Sequence, residues 1–219
     1  MRKTFESLTY GLILVLFSSG CGGISVNRAI TINTGETVNH SLNTVNGRIT
    51  VGDDFNIKGE VRTVNGGITV GENGKAGTLQ TVNGSIKIGP GTKIAGDVNT
   101  VNGSIRCGSK AVIEGSLSTI NGKIDLDQTT VTQDISIHNG DITLEHGTNV
   151  GGNIVVKDSK GNSSKRKKPL VIRLSHGSVV QGSVFNHSDK KVQLLLQGNS
   201  QVHGKTKNVE LITEDQKSE

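Results

Sequence analysis

The residues best suited to chemistry are few and spread out. Five of the six histidines stand in the second half of the chain, at His138, His146, His176, His187 and His203. Two of them share a setting: Ile142-Thr143-Leu144-Glu145-His146-Gly147 is echoed by Ile172-Arg173-Leu174-Ser175-His176-Gly177. A stacked pair of imidazoles offers nitrogen ligands to a metal ion. Two ligands alone do not close a site, so the expectation is a solvated pair, with no metal and no cofactor. The carboxylates Asp53, Asp54, Asp97, Asp125, Asp127 and Asp134 form no paired cluster, and no Ser-His-Asp arrangement or phosphate-cradling loop stands out. Lys165, Arg166, Lys167 and Lys168 are four successive cations. Near an anionic surface each contributes roughly 1 kcal/mol, which suits lipid headgroups or lipopolysaccharide phosphate. Cys107 takes the repeat position of Val51, Val70, Ile88 and Leu126, so it reads as a small buried hydrophobe and not as a nucleophile or ligand.

The elements that must carry these groups are repeats. Thr100-Val101-Asn102-Gly103-Ser104-Ile105 recurs from Thr44, Thr63, Thr81 and Thr119, and more loosely from Ile137. The asparagines fall at Asn46, Asn65, Asn83, Asn102, Asn121 and Asn139, in steps of 19, 18, 19, 19 and 18. A fixed step of this size marks a solenoid, in which each repeat buries its apolar side only against its neighbours. Apolar residues alternate with polar ones inside each repeat, the period of a strand. The spacing predicts three short strands per coil, in an all-β, single-stranded parallel β-helix of about 18–19 residues per coil. Nine or so coils at about 4.8 Å each make a rod of roughly 40–45 Å.

Side-chain directions follow from the spacing. Val82, Ile88 and Ile94 are six apart, as are Val101, Cys107 and Ile113, and Ile105, Ala111 and Leu117; all are expected inside. With Val45, Val64, Val82 and Val101 inward, Thr44, Thr63, Thr81, Thr100 and Thr119 point outward beside the asparagines, a stripe that suits ice or glycan. The asparagines are expected to stack as a hydrogen-bonded ladder, and the glycine after each to supply positive φ at a corner. The nineteenth residue, where present, reads as a corner bulge. The match between residues 142–147 and 172–177 is 30 residues apart instead of 18 or 19, and the surplus lies in residues 158–169, an apolar-free loop looping out of a corner. The solenoid then resumes through Val192, Leu194 and Leu196 to a last strand near Leu211, and residues 214–219 form a polar tail.

Composition agrees with a thin stack. There are 30 glycines, 2 prolines, four phenylalanines, one tyrosine and no tryptophan, whereas a globular core leans on large rings. Arg2 and Lys3 precede the apolar stretch of residues 12–17, which is too short to span a bilayer. That stretch runs into Ser18-Ser19-Gly20-Cys21, which resembles a bacterial lipoprotein signal; the resemblance implies removal of residues 1–20 and lipid on Cys21. Gly22, in place of Asp, implies the outer membrane, facing the periplasm or the cell surface. The full chain carries a formal charge of +5; without residues 1–20 it has 22 basic and 18 acidic side chains, an excess of four equal to the cluster at 165–168. No nucleic-acid partner is expected from so balanced a remainder.

The Ile-x-Gly-x-Val words, as in Ile94-Ala95-Gly96-Asp97-Val98, resemble those of bactofilins, small bacterial β-helix proteins that polymerise end to end. The Thr-Val-Asn-Gly-x-Ile-x-Val words are similar to the strand repeats of a bacterial adhesin family. Either resemblance covers roughly residues 24–212. Bactofilins are mostly cytoplasmic, whereas the lipoprotein-like signal implies export; the reading is therefore an exported, lipid-anchored, non-catalytic solenoid, with a signal at 1–20 and the solenoid at 21–213, serving as a structural or adhesin-like binding module. The alternative is a self-assembling scaffold. Six-residue aliphatic spacing also resembles hexapeptide acyltransferases, whose acyl donor is cytoplasmic. The expected partners are a membrane, an anionic lipid, lipopolysaccharide or glycan, and further copies of the chain.

Overall fold

The computed structural model describes residues 24–158 and 168–213. The chain winds as a parallel β-solenoid with three walls of ten, ten and nine strands among the described residues, and each strand inside a wall is hydrogen-bonded to its counterparts in the coils on either side. Wall A begins with Ile24–Ser25 and Leu42–Thr44 and ends with Thr206–Lys207; wall B runs from Ile30–Ile32 to Glu210–Thr213; wall C runs from Thr37–Val38 to Gln201–Val202. Every pairing is parallel and in register, so like residues stack: Ile86 sits between Ile68 and Ile105, and Ile94 between Ala76 and Ile113.

Why these short segments form strands follows from what they enclose. The interior is filled by aliphatic columns such as Ile49, Ile68, Ile86, Ile105, Ile124 and Ile142, each fully buried. β-Branched side chains suit a pleated surface whose neighbours repeat the same shape. The shaft leaves space for few rings; Phe55 is buried, and a Cβ on Gly74 in the next coil would overlap its ring.

The structure reverses one column. Strand Val98–Asn102 has Val98 and Thr100 buried and Val101 half-exposed. Thr44, Thr63, Thr81, Thr100 and Thr119 are therefore inside, and Val45, Val64, Val82, Val101 and Ile120 outside. Strand alternation from the buried Leu42, Val61, Leu79, Val98 and Leu117 enforces this. The hydroxyls are tolerated because each finds an acceptor in the preceding coil: Thr63 Oγ1 donates to the Gly47 carbonyl at 2.9 Å, Thr81 to Gly66 at 2.8 Å and Thr100 to Gly84 at 2.9 Å. A buried hydroxyl without a partner would be costly. A Thr/Asn stripe for ice or glycan is thus absent from wall A; its outer face carries Val beside Asn.

The corners also differ from expectation. Positive φ is not needed at Gly47, Gly66, Gly84, Gly103 or Gly122. These glycines are required for space, since a Cβ on Gly103 would overlap the Gly84 carbonyl, and one on Gly122 the Gly103 carbonyl. Positive φ is concentrated instead between walls B and C, at Gly35, Asp54, Asn73, Gly91, Lys110, Gln128, His146 with Gly147, His176 with Gly177, and Gly198 with Asn199; at the asparagine corner it occurs at Asn27, at Asn208 and at Gly140, the one glycine of the series that has the expected positive φ. The missing residue of the two 18-residue steps is lost at different corners. It is lost between walls C and A where Ala76 and Leu79 stand three apart against four for Ile94 and Val98, and between walls B and C where Leu126 and Val131 stand five apart against six for Cys107 and Ile113.

Candidate functional site

Two corners gather polar groups. The corner from wall A to wall B carries the asparagines. Asn46 Nδ2 donates to Asn27 Oδ1 at 2.5 Å, and Asn65, Asn83, Asn102, Asn121 and Asn139 each donate to the asparagine one coil earlier at 2.8–2.9 Å. The side chains are exposed or half-exposed, yet their amides are engaged with one another along the column.

The ladder ends where the insertion begins. Val156 pairs with Ile137 and Ile172 with Ile142, so the five-residue step around this corner becomes sixteen. The insertion of residues 158–169 therefore leaves and re-enters the rod directly above Asn139. Its Lys165, Arg166 and Lys167 lie outside the described residues, as do Cys21 and the tail at 214–219. Lys168 is exposed at the returning end.

Below that root sits His138, half-buried on the outer face in the column of Val101 and Ile120. Lys190 arrives from a turn held by Asn186, whose Nδ2 donates to the Lys190 carbonyl at 2.8 Å, and Lys190 Nζ donates to the His138 carbonyl at 2.9 Å. Burial, then the charges of Lys157 and Lys190, hold the His138 imidazole below its usual range, opposed by the Thr119 carbonyl and Asp158. Its Nδ1 is buried without a partner. The ring is thus kept neutral beside two cations. Charge is also uneven along the described rod: residues 24–156 hold ten basic and twelve acidic side chains, and the described residues beyond 156 hold seven and three.

The corner from wall B to wall C holds the second cluster. Asp127 accepts from Ser109 Oγ at 2.9 Å on Oδ2 and meets His146 Nδ1 at 2.6 Å on Oδ1. The His146 contact holds its carboxyl below the usual range, opposed by burial and helped to a smaller extent by the Ser109 hydroxyl. The ring of His146 stacks on that of His176, with centroids 4.7 Å apart and planes at 21°. The hydroxyl lies on the aspartate and not on the imidazole, so this is no nucleophile-base pair. Sequence spacing finds the two histidines but not Asp127, which precedes His146 by 19 residues and is one coil away.

Cys107 is buried, and loss of solvent pushes its thiol up to about 12, which suppresses the thiolate that a nucleophile or ligand requires. Among the described residues, no group of three or more His, Cys, Asp or Glu is placed to hold a metal ion, and no helix is long and apolar enough to cross a membrane. No known protein family, curated protein or solved structure matched the chain.

Proposed function

We propose that the chain is an exported, non-catalytic β-solenoid, anchored at the outer membrane by lipid on Cys21, that acts as a structural and surface-binding module. The observation that carries the binding role is the convergence of Lys157 and Lys190 on His138 at the root of the basic insertion. In this reading the rod is a spacer and the insertion corner is its contact point, which takes an anionic envelope component such as a lipid headgroup or lipopolysaccharide phosphate. Co-sedimentation with lipopolysaccharide or anionic vesicles tests it. Binding is expected at low salt, weakened when Lys165, Arg166, Lys167 and Lys168 become Ser, and weakened again by 0.5 M salt through screening, as expected on the order of the Debye length. Retention undiminished by the four substitutions would remove the corner from the account. Incorporation of labelled fatty acid that persists in Cys21→Ser would remove the anchor.

A second reading is end-to-end assembly into a scaffold. It is favoured by apolar side chains at both ends of the described solenoid, Val26 at 61% exposure and Leu211 at 46%, beside strand edges that no other described coil pairs. Electron microscopy of the protein without residues 1–21 would show filaments; monomers at high concentration would exclude it.

A further inference from the structure

The stacked histidines gain from the fold what their spacing alone did not provide. Glu145-His146-Gly147-Thr148 and Ser175-His176-Gly177-Ser178 form the same tight turn in successive coils, closed by Thr148 N–H to the Glu145 carbonyl at 3.2 Å and Ser178 N–H to the Ser175 carbonyl at 3.3 Å. Both histidines adopt left-handed backbone, φ 50° and 52°. The Gly147 N–H donates to the His176 carbonyl at 2.9 Å, so one turn is seated on the other. The spacing of the two imidazoles is set by the solenoid and not by chance approach of flexible chains.

Asp127 then fixes which nitrogen is available. An ionised carboxylate can only accept, so in the neutral imidazole this contact assigns the proton to His146 Nδ1 and leaves the lone pair on Nε2. A carboxylate on the far nitrogen of an imidazole is the arrangement that orients and strengthens histidine ligands, and Ser109 in turn holds the carboxylate. We propose that His146 and His176 bind a divalent transition-metal ion between them, with Asp127 orienting His146 and water completing the coordination. Metal–nitrogen bonds of about 2.0–2.1 Å place adjacent ligands about 3 Å apart. The rings, with centroids at 4.7 Å, must tilt toward each other by a side-chain rotation, which their exposure permits. The preferred ions follow the usual order for imidazole sites, with copper(II) above nickel(II) and zinc(II).

The site is tested by titrating the full chain, without a histidine tag, with nickel(II) and zinc(II) in a calorimeter at pH 7.5. One ion per chain is expected. His146→Asn and His176→Asn, which keep a residue suited to left-handed backbone, should each weaken binding at least tenfold. Asp127→Asn should weaken it about 10–100-fold, the usual effect of losing an orienting partner. His203→Asn, at an exposed histidine of a different corner, should leave binding unchanged. The proposal is overturned by absence of saturable binding, by binding that survives His176→Asn, or by an equal loss in His203→Asn; circular dichroism of each variant shows that the solenoid is intact.

Discussion

At the residue scale, the informative position is the buried threonine. Thr100 occupies a core column, and its hydroxyl is spent on the Gly84 carbonyl at 2.9 Å. Val is nearly the same shape, so Thr100→Val keeps the packing and leaves that carbonyl unbonded. We expect a loss of about 1–2 kcal/mol in urea unfolding. The reciprocal change on the outer face, Val101→Thr, should stay within about 0.5 kcal/mol, as substitutions at exposed sites do. Equal costs for the two would mean that the column has no fixed inside. The repeated word Thr-Val-Asn-Gly hides this polarity, because Thr and Val are both β-branched and both suit strands. The deciding signal lies two residues earlier, at Leu42, Val61, Leu79, Val98 and Leu117, from which strand alternation reaches Thr and not Val.

At the scale of the elements, corners do more than reverse direction. The corner after the asparagines brings successive backbones so close that only glycine fits, whereas the corner between walls B and C needs left-handed φ but has open space at Gly147. These are different demands with different costs. Gly103→Ala forces a Cβ into the Gly84 carbonyl and should lower the denaturation midpoint by an amount equal to about 2–3 kcal/mol, the upper range for overpacking. Gly147→Ala meets only the conformational penalty of about 1–2 kcal/mol. A larger loss for Gly147→Ala would contradict the assignment of close approach to the asparagine corner. The insertion obeys the same logic: it leaves from the one corner where the ladder can stop, since a ladder of side chains can end at any coil without breaking the strands beside it.

For the whole molecule, stability is additive along one axis. Each coil touches only its neighbours, so the terminal coils lack one interface and open first. Hydrogen exchange should be slowest in the interior strands, such as Leu117–Asn121 and Ile142–Glu145, and fastest in Thr37–Val38 and Thr206–Lys207. Uniform protection from end to end would show that the ends are covered, as end-to-end assembly would cause. Charge follows the same axis, since the excess of basic side chains lies beyond residue 156; an anionic partner would therefore meet one end of the rod.

The regular step of 18 or 19, the alternation within it and the shortage of large rings determined the three-walled solenoid, the aliphatic core and the stacking of the asparagines. They did so because a repeat that buries its apolar face only against copies of itself must write that face into every copy. The 30-residue step located the insertion. Tertiary structure alone decided the rest: that threonine and not valine faces the shaft, that glycine serves closeness at one corner and φ at another, and that Asp127 stands under His146 and Lys190 reaches His138. The physical reason is that these depend on contacts between coils. One period along the chain is one rung along the axis, but which side chains meet across that rung is set by the register and by where each coil drops or gains a residue.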